Sequence, residues 1–500
     1  MSPQTPSVQL TPGRRWAVTA GLLLCLFLAA LEATVVSTAM PTVVASLGGL
    51  DHYSWVFSAY LLTSTASVPL WGRLSDLYGR RRLYLWAIGL FLAGSMLAGV
   101  SQTMLQLVLF RAVQGLGAGG LIPLALTIIG EIYTLAERMR MQAVFSSVWG
   151  VSSVVGPLVG GIITDSISWR WVFYLNLPFG LIAAAVVHRT LPEHARRGRV
   201  VVDWLGGGLL FLATTLLLIA LSEASFMWGV LAAASILVLV QVERRAAHPI
   251  FPFGLFRSRT VSVATTVGFL SGIGLFGAIA FIPLLVQATT SASATSAGQI
   301  LTPIYLMWVL ASIVAARLLL RIGARASTLG GTTAVFIAFA MLPFLAVGAS
   351  RAALFADMGL MGAGLGFAML ALLLAVQHSV SKSELGVATS LNMFARQIGG
   401  AVGVAIMGAI LTAGIGGSSR LTPAALEGAG IARLDPEVRQ RLIVSLQRAF
   451  ASGALASGLA LVAAFWVPPF VSSFEPSAGG EFAAEMAAIE ADAEPVSVGD

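Results

Sequence analysis

The most constraining feature of this 500-residue sequence is a series of fourteen apolar stretches. A helix needs about 20 mostly apolar residues to cross a bilayer. The stretches are continuous rather than alternating, which excludes a transmembrane β-barrel. We therefore expect an all-α membrane protein with 14 transmembrane helices, near 16–41, 54–73, 83–101, 104–130, 141–164, 171–189, 204–221, 227–242, 260–287, 297–320, 328–349, 352–377, 385–413 and 448–470.

Composition excludes a soluble protein. Hydrophobic residues make up 57% of the chain and charged residues only 10%, whereas soluble domains carry roughly 25% charged residues. A soluble protein with so few charges could not cover its own surface. The first apolar stretch ends without an Ala-x-Ala cleavage site, so we expect a retained helix rather than a removed signal peptide.

The distribution of basic residues predicts the orientation. Arginines cluster in every second segment between the apolar stretches, for example at 14–15, 80–82 and 196–199. This is the positive-inside pattern, which places both termini in the cytoplasm and explains the net charge of +7 without a nucleic-acid partner. Only Lys382 among the 29 basic residues is lysine, and the chain has 53 glycines. This composition favours a bacterial plasma membrane protein.

The chain also shows a faint internal repeat, which indicates two homologous halves. The segment 316–325 aligns with 72–81, and at a similar offset the glycines of 362–366 align with those of 115–119. The predicted organisation is a cytoplasmic N-terminus (1–15), a six-helix bundle (16–190), a linker with two extra spans (191–259), a second six-helix bundle (260–470) with an extracytoplasmic loop (414–447), and a disordered acidic cytoplasmic tail (471–500).

A charged motif fills the predicted cytoplasmic loop between the second and third spans. It reads Gly-Arg-Leu-Ser-Asp-Leu-Tyr-Gly-Arg-Arg-Arg over 72–82. Its glycines permit a tight turn, and its aspartate can bind a helix N-terminus or an arginine. Such a cluster can lock two helix bundles together in one state, whereas a plain positive-inside loop is the simpler alternative. The predicted gate residues are Gly72, Asp76, Gly79, Arg80, Arg81 and Glu131, where an exposed ion pair is the alternative for Glu131.

The most informative single residue is Glu32, near the middle of the first span. A carboxylate there costs about 2.5–3.5 kcal/mol on insertion scales unless it is protonated, hydrated or paired. Arg111, inside the fourth span, is the natural partner because arginine cannot discharge. Gln114 lies one turn further on the same face and can extend the network. We expect these three residues to couple protons, with purely structural roles as the alternative.

Three other features sit within predicted spans. Asp357, about one turn into the tenth span of the twelve-helix core, is a candidate substrate or second proton site. A helix cap or a pair with Arg351 is the simpler alternative. Arg396 is expected to pack at the inner gate. The run Gly156, Pro157, Gly160 and Gly161 combines a proline kink with small residues that allow close helix contact.

These motifs resemble the major facilitator superfamily, and in particular the fourteen-span drug:H+ antiporters of the EmrB/QacA type. The loop at 72–82 resembles the superfamily signature. Residues 31–41 resemble the first-helix motif of the antiporters, and further similarities lie at 55–62, 111–117, 169–178 and 396–403. The resemblance implies two six-helix bundles plus two inserted helices. It also implies proton-relay roles for Glu32 and Arg111 and an export-associated motif at 156–161.

The expected function is proton-coupled export of hydrophobic or cationic drugs across the plasma membrane by alternating access. A dedicated exporter of one endogenous metabolite or lipid and a non-transporting membrane sensor or scaffold remain alternatives. The sequence has no credible nucleophile triad, nucleotide-binding loop or metal-ligand spacing, so we expect no enzyme activity, no metal and no cofactor besides the proton gradient. Expected partners are small-molecule substrates, protons and the lipid bilayer; a periplasmic adaptor stays open.

Overall fold

The computed structural model describes residues 10–133, 135–193, 204–223, 225–246, 253–290, 293–345, 350–380, 385–415 and 436–469. The acidic tail and most of the predicted loop at 414–447 lie outside these ranges. The helices are α1 (Pro12–Leu47), α2 (Tyr53–Tyr78), α3 (Arg80–Gly99), α4 (Met104–Ile132), α5 (Leu135–Ser166), α6 (Trp171–Tyr174), α7 (Asn176–Thr190), α8 (Trp204–Ser222), α9 (Phe226–Arg245), α10 (Arg259–Thr290), α11 (Ala294–Gln299), α12 (Thr302–Leu345), α13 (Arg351–Ser379), α14 (Leu385–Ile415) and α15 (Pro436–Ala464).

The helical membrane class is confirmed. Eleven helical segments within the described residues are long and apolar enough to cross a membrane, and the apolar stretch Leu205–Leu221 of α8 is shorter. Two further predicted spans are occupied by α2 and α5, which are 26 and 32 residues long. Helices suit these sequences because lipid offers the backbone no hydrogen-bond partners, and a helix forms all its backbone hydrogen bonds within the segment. The count of fourteen spans stays a prediction.

The internal repeat has a counterpart in the backbone. Gly79 (φ 96°) separates α2 from α3, and the aligned Gly323 (φ 78°) breaks α12 into two helices. The aligned glycines also pack alike. Gly115 of α4 lies against Tyr60 in α2, and Gly362 of α13 lies against Ile304 in the first part of α12. Helices α2 to α4 and α12 to α13 are therefore equivalent units of the two halves.

The last helix begins earlier than expected. The predicted loop extended to residue 447, but α15 starts at Pro436, so residues 436–447 are helical. Proline is favoured at the first helical position, and Glu437 interacts well with the helix N-terminus. Arg439 fixes this turn to the end of α10 by donating from Nη2 to the Thr289 carbonyl at 2.9 Å.

The two halves, α1–α7 and α10–α15, share one apolar core where α1 ends and α2 begins. Tyr53, the first residue of α2, stacks on Phe281 of α10 with ring centres 5.2 Å apart and donates its hydroxyl to the Ala280 carbonyl. A second core, which includes Leu22, lies within the first half. Between the halves, α8 packs on α9, α2 and α14. By the predicted orientation, the contact between Tyr53 and α10 lies on the outer side of the membrane.

Candidate functional site

The structure brings Glu32 and Arg111 into direct contact. Their side chains are only 1% and 2% exposed, and Arg111 Nη1 donates to Glu32 Oε1. The same nitrogen donates to Gln114 Oε1 at 2.6 Å, so the three predicted proton-coupling residues form one buried cluster. Met358 stands in the second half where Arg111 stands in the first, and it is fully buried. The second half therefore has no charged residue at the position equivalent to Arg111.

Asn176 is a fourth member that sequence reasoning missed. It is fully buried at the start of α7, and its Nδ2 donates to Glu32 Oε2 at 2.7 Å and to Ser95 Oγ at 2.9 Å. Ser95 in turn donates to the Phe173 carbonyl. Each Glu32 oxygen thereby receives a hydrogen bond from a different helix. The sequence signals were an asparagine within an apolar stretch, where a polar amide is costly unless hydrogen-bonded, and its position in the similar segment at 169–178.

Helix α2 completes the environment of Arg111. Its guanidinium carbon lies 4.1 Å from the centre of the Tyr60 ring, and its Nε donates to the Val56 carbonyl at 3.3 Å. Gln114 Nε2 is buried without a hydrogen-bond partner among the described residues. The cluster therefore retains a free donor that a water molecule or a substrate can use.

The charged motif at 72–82 forms two ion pairs within the first half. Arg80 Nε lies 3.1 Å from Glu131 Oε1, and Arg81 Nε lies 3.3 Å from Glu193 Oε2. The first pair brings two predicted gate residues together, whereas Glu193 was not anticipated. Asp76 belongs to α2, but its side chain lies outside the described residues.

The two glycines of this motif have different roles, and we predict opposite effects on stability. Gly79 adopts φ 96° and ψ 146°, a backbone region nearly restricted to glycine. Gly72 is helical and faces open space. We expect Gly79→Ala to lower the free energy of unfolding by about 1–3 kcal/mol, and Gly72→Ala to raise it by up to about 1 kcal/mol. Thermal unfolding of both purified variants in detergent tests this, and equal midpoints would contradict the distinct roles.

The small residues of 156–161 let α5 pack closely against α1 in its own half and against α11 in the other half. A Cβ atom on Gly156 would overlap Thr34 of α1, and one on Gly161 would overlap the backbone of Thr295 in α11. One turn beyond Gly161, Asp165 Oδ2 accepts from the Thr295 backbone nitrogen at 3.0 Å and from its hydroxyl at 2.6 Å. Gly160 meets α1 in the same manner, at Thr38. Pro157 lies inside α5 between these contacts.

The structure removes the two simpler roles considered for Asp357. Ser350 caps α13 by accepting from the Ala353 backbone nitrogen, and Arg351 donates to Gln299 instead. Asp357 is 4% exposed, and neither carboxylate oxygen has a hydrogen-bond partner within the described part of the chain. A membrane-embedded carboxylate of this kind is a candidate functional group.

Arg396, predicted to pack at the inner gate, reaches from α14 towards α12. Its guanidinium carbon lies 5.9 Å from the centre of the Trp308 ring. No group of three or more His, Cys, Asp or Glu residues in the described ranges could hold a metal ion.

Comparison with known proteins gives consistent matches. A family model described as Major Facilitator Superfamily matches residues 22–404. Multidrug transporter protein MdtP of Bacillus subtilis (strain 168) is 38% identical over 410 residues, which cover 80% of this chain and 76% of the relative. Multidrug resistance protein 3 of the same strain is 38% identical over 406 residues, 79% of each chain.

Solved structures agree in fold. The bacterial homolog of the human lysosomal transporter Spinster, in an inward-facing and occupied conformation, superposes with a TM-score of 0.68 at 15% identity. The superposition covers 92% of this chain and 98% of that structure.

Proposed function

Because the chain belongs to the Major Facilitator Superfamily, we propose that it is a proton-driven exporter of hydrophobic, often cationic, small molecules. It is a multi-pass membrane transporter and not an enzyme. Relatives named multidrug transporter and efflux pump support the direction and the broad substrate range. The resemblance to the fourteen-span EmrB/QacA type, the bacterial inner membrane and the cytoplasmic placement of both termini belong to the same proposal.

The observation that carries the proposal is the buried cluster of Glu32, Arg111 and Asn176. Burial favours the protonated acid, whereas an adjacent arginine and hydrogen bonds favour the carboxylate. A carboxylate inside a membrane span that is held by an arginine and an amide is a candidate proton carrier. When Glu32 takes up a proton, it loses its charge attraction to Arg111, and the hydrogen bonds that join α1 to α4 and α7 weaken.

The contacts between the halves suggest how this proton step reaches the substrate path. Glu32 lies on α1, and so do Thr34 and Thr38, which contact the glycines of α5. A shift of α1 after protonation would disturb its packing on α5 and α11. We call the packing of α1 and α5 on α11 the outer contact between the halves. We propose that protonation of Glu32 opens this outer contact, which gives alternating access.

The proton gradient alone can drive such export without a cofactor. A membrane potential of about 150 mV supplies about 3.5 kcal/mol per proton. That free energy supports a gradient of roughly 300-fold for a neutral substrate.

Ethidium efflux tests the proposed function. Pump-deficient bacteria would express the wild-type chain or Glu32→Gln, each with and without a protonophore. We expect wild-type efflux to collapse with the protonophore and Glu32→Gln to reduce efflux at least about tenfold, since the amide cannot exchange a proton. Glu223→Gln, which makes the same change at an exposed acid just after α8, is a matched control that should retain efflux.

Other outcomes discriminate between the alternatives. Unchanged proton-dependent efflux in Glu32→Gln would show that coupling lies elsewhere. No efflux from well-expressed wild type would contradict multidrug export and favour one endogenous metabolite or lipid as substrate, with metabolite profiling as the next measurement. A requirement for a periplasmic adaptor would appear as efflux that depends on the host strain.

A further inference from the structure

Arg396 lies where the second half of the protein faces the first. It belongs to α14, whose next residue, Gln397, accepts a hydrogen bond from Thr65 of α2 at 2.8 Å. The arginine reaches Trp308 in α12, and the neighbouring Val309 faces Gly150 of α5. Helices α2 and α5 both belong to the first half. The arginine and the tryptophan therefore lie on two different helices of the second half, each next to a residue that contacts the first half.

Within the described residues, nothing neutralises this arginine. Arg396 forms no ion pair and no hydrogen bond there, and its side chain contacts the Trp308 ring. Arginine carries five N–H donors and stays charged in proteins. An ionisable side chain inside a membrane span is costly and marks a functional site by default.

The other membrane-embedded charges do not compensate Arg396. Glu32 is bound by Arg111 and Asn176. Asp357 and the buried Glu243 of α9 form no ion pair with Arg396. Next to Arg396, Gln397 uses its amide oxygen for Thr65, which leaves its N–H donors. Arg396 and Gln397 thus offer N–H donors that have no acceptor among the described residues, which favours a ligand with negative charge.

We propose that Arg396 and Trp308 form an anion-binding subsite, which gives the exporter a second substrate class, aromatic carboxylates. The guanidinium fork matches a carboxylate with two parallel hydrogen bonds. The indole face offers a stacking surface for the ring of the same substrate. This inference rests on the proposed export function and adds the substrate chemistry recognised at one position.

Dye binding to the purified full-length protein in detergent tests this subsite without a membrane potential. Two xanthene dyes of opposite charge, fluorescein and tetramethylrhodamine methyl ester, would be titrated by fluorescence anisotropy. We expect Arg396→Gln to raise the Kd for fluorescein at least about tenfold, because a charge-assisted bond is lost. The same variant should bind the cationic dye more tightly, since a repulsive charge is removed. Arg396→Lys should give an intermediate Kd for fluorescein.

Controls separate binding from folding. Arg441→Gln, which removes an exposed arginine from α15, should leave both Kd values unchanged. Three results would overturn the subsite. They are an equal rise in the Kd of both dyes in Arg396→Gln, an unchanged Kd for fluorescein in that variant, and no fluorescein binding by the wild type. Ethidium efflux by the wild type together with any of these results would leave the export function intact. Absence of that efflux would contradict the export function itself.

Discussion

Replacing Arg111 with methionine is expected to destabilise the protein by about 3–5 kcal/mol, because it leaves the Glu32 carboxylate buried without its charge partner. The arginine also supplies the hydrogen bond to Gln114 and packs on Tyr60. The double variant Glu32→Gln/Arg111→Met carries no buried charge at this position. It should regain most of the lost stability, since neutral replacement of a buried ion pair is often nearly neutral in free energy. Thermal unfolding in detergent measures both effects.

The double variant also separates stability from function. It should fold well yet show no proton-coupled efflux, because neither the proton acceptor nor its partner remains. Arg441→Met provides the matched control, since its exposed pair with Glu437 is worth at most about 0.5 kcal/mol. Additive losses from Glu32→Gln and Arg111→Met, with no recovery in the double variant, would show that the two side chains are not energetically coupled.

Replacing Gly161 with valine is expected to prevent the outer contact between the halves from closing. A side chain there would overlap the Thr295 backbone, which cannot move aside as a flexible side chain can. Overpacking of this kind costs about 1–3 kcal/mol, and each 1.4 kcal/mol shifts an equilibrium about tenfold. We expect ethidium efflux to fall about tenfold or more. Gly208→Val in α8, where a Cβ atom meets open space, should keep wild-type efflux.

Cysteine labelling reports whether this contact has opened. The chain's one cysteine, Cys25, is buried and can be replaced by serine. A new cysteine at Thr38, which is buried beside Gly160 and Gly298, should react slowly with an external membrane-impermeant maleimide. Adding Gly161→Val should accelerate that reaction. An unchanged labelling rate together with intact efflux would show that the contact does not govern access.

The sequence by itself determined the helical membrane class and pointed to the central pair. A chain with 57% hydrophobic and 10% charged residues cannot fold as a soluble protein. Charges within its apolar stretches must therefore be compensated or functional. Glu32 and Arg111 could be paired from the sequence because burying either charge alone in a membrane span is so costly. The internal repeat could also be recognised from the sequence. Its aligned glycines, Gly79 and Gly323, occupy a backbone conformation that favours glycine in both halves.

Only the tertiary structure decided which polar groups meet across helices. Asn176 reaches Glu32 because α7 packs against α1, and no spacing in the sequence encodes that distance. Glu193 pairs with Arg81, Ser350 caps α13 in place of Asp357, and Arg396 extends to Trp308. The free-energy cost of burial shows that a charge within a membrane span must have a partner or a function. The identity of its partner depends on the packing of helices far apart in the chain, and for Asp357 and Arg396 that packing supplies no charge partner among the described residues.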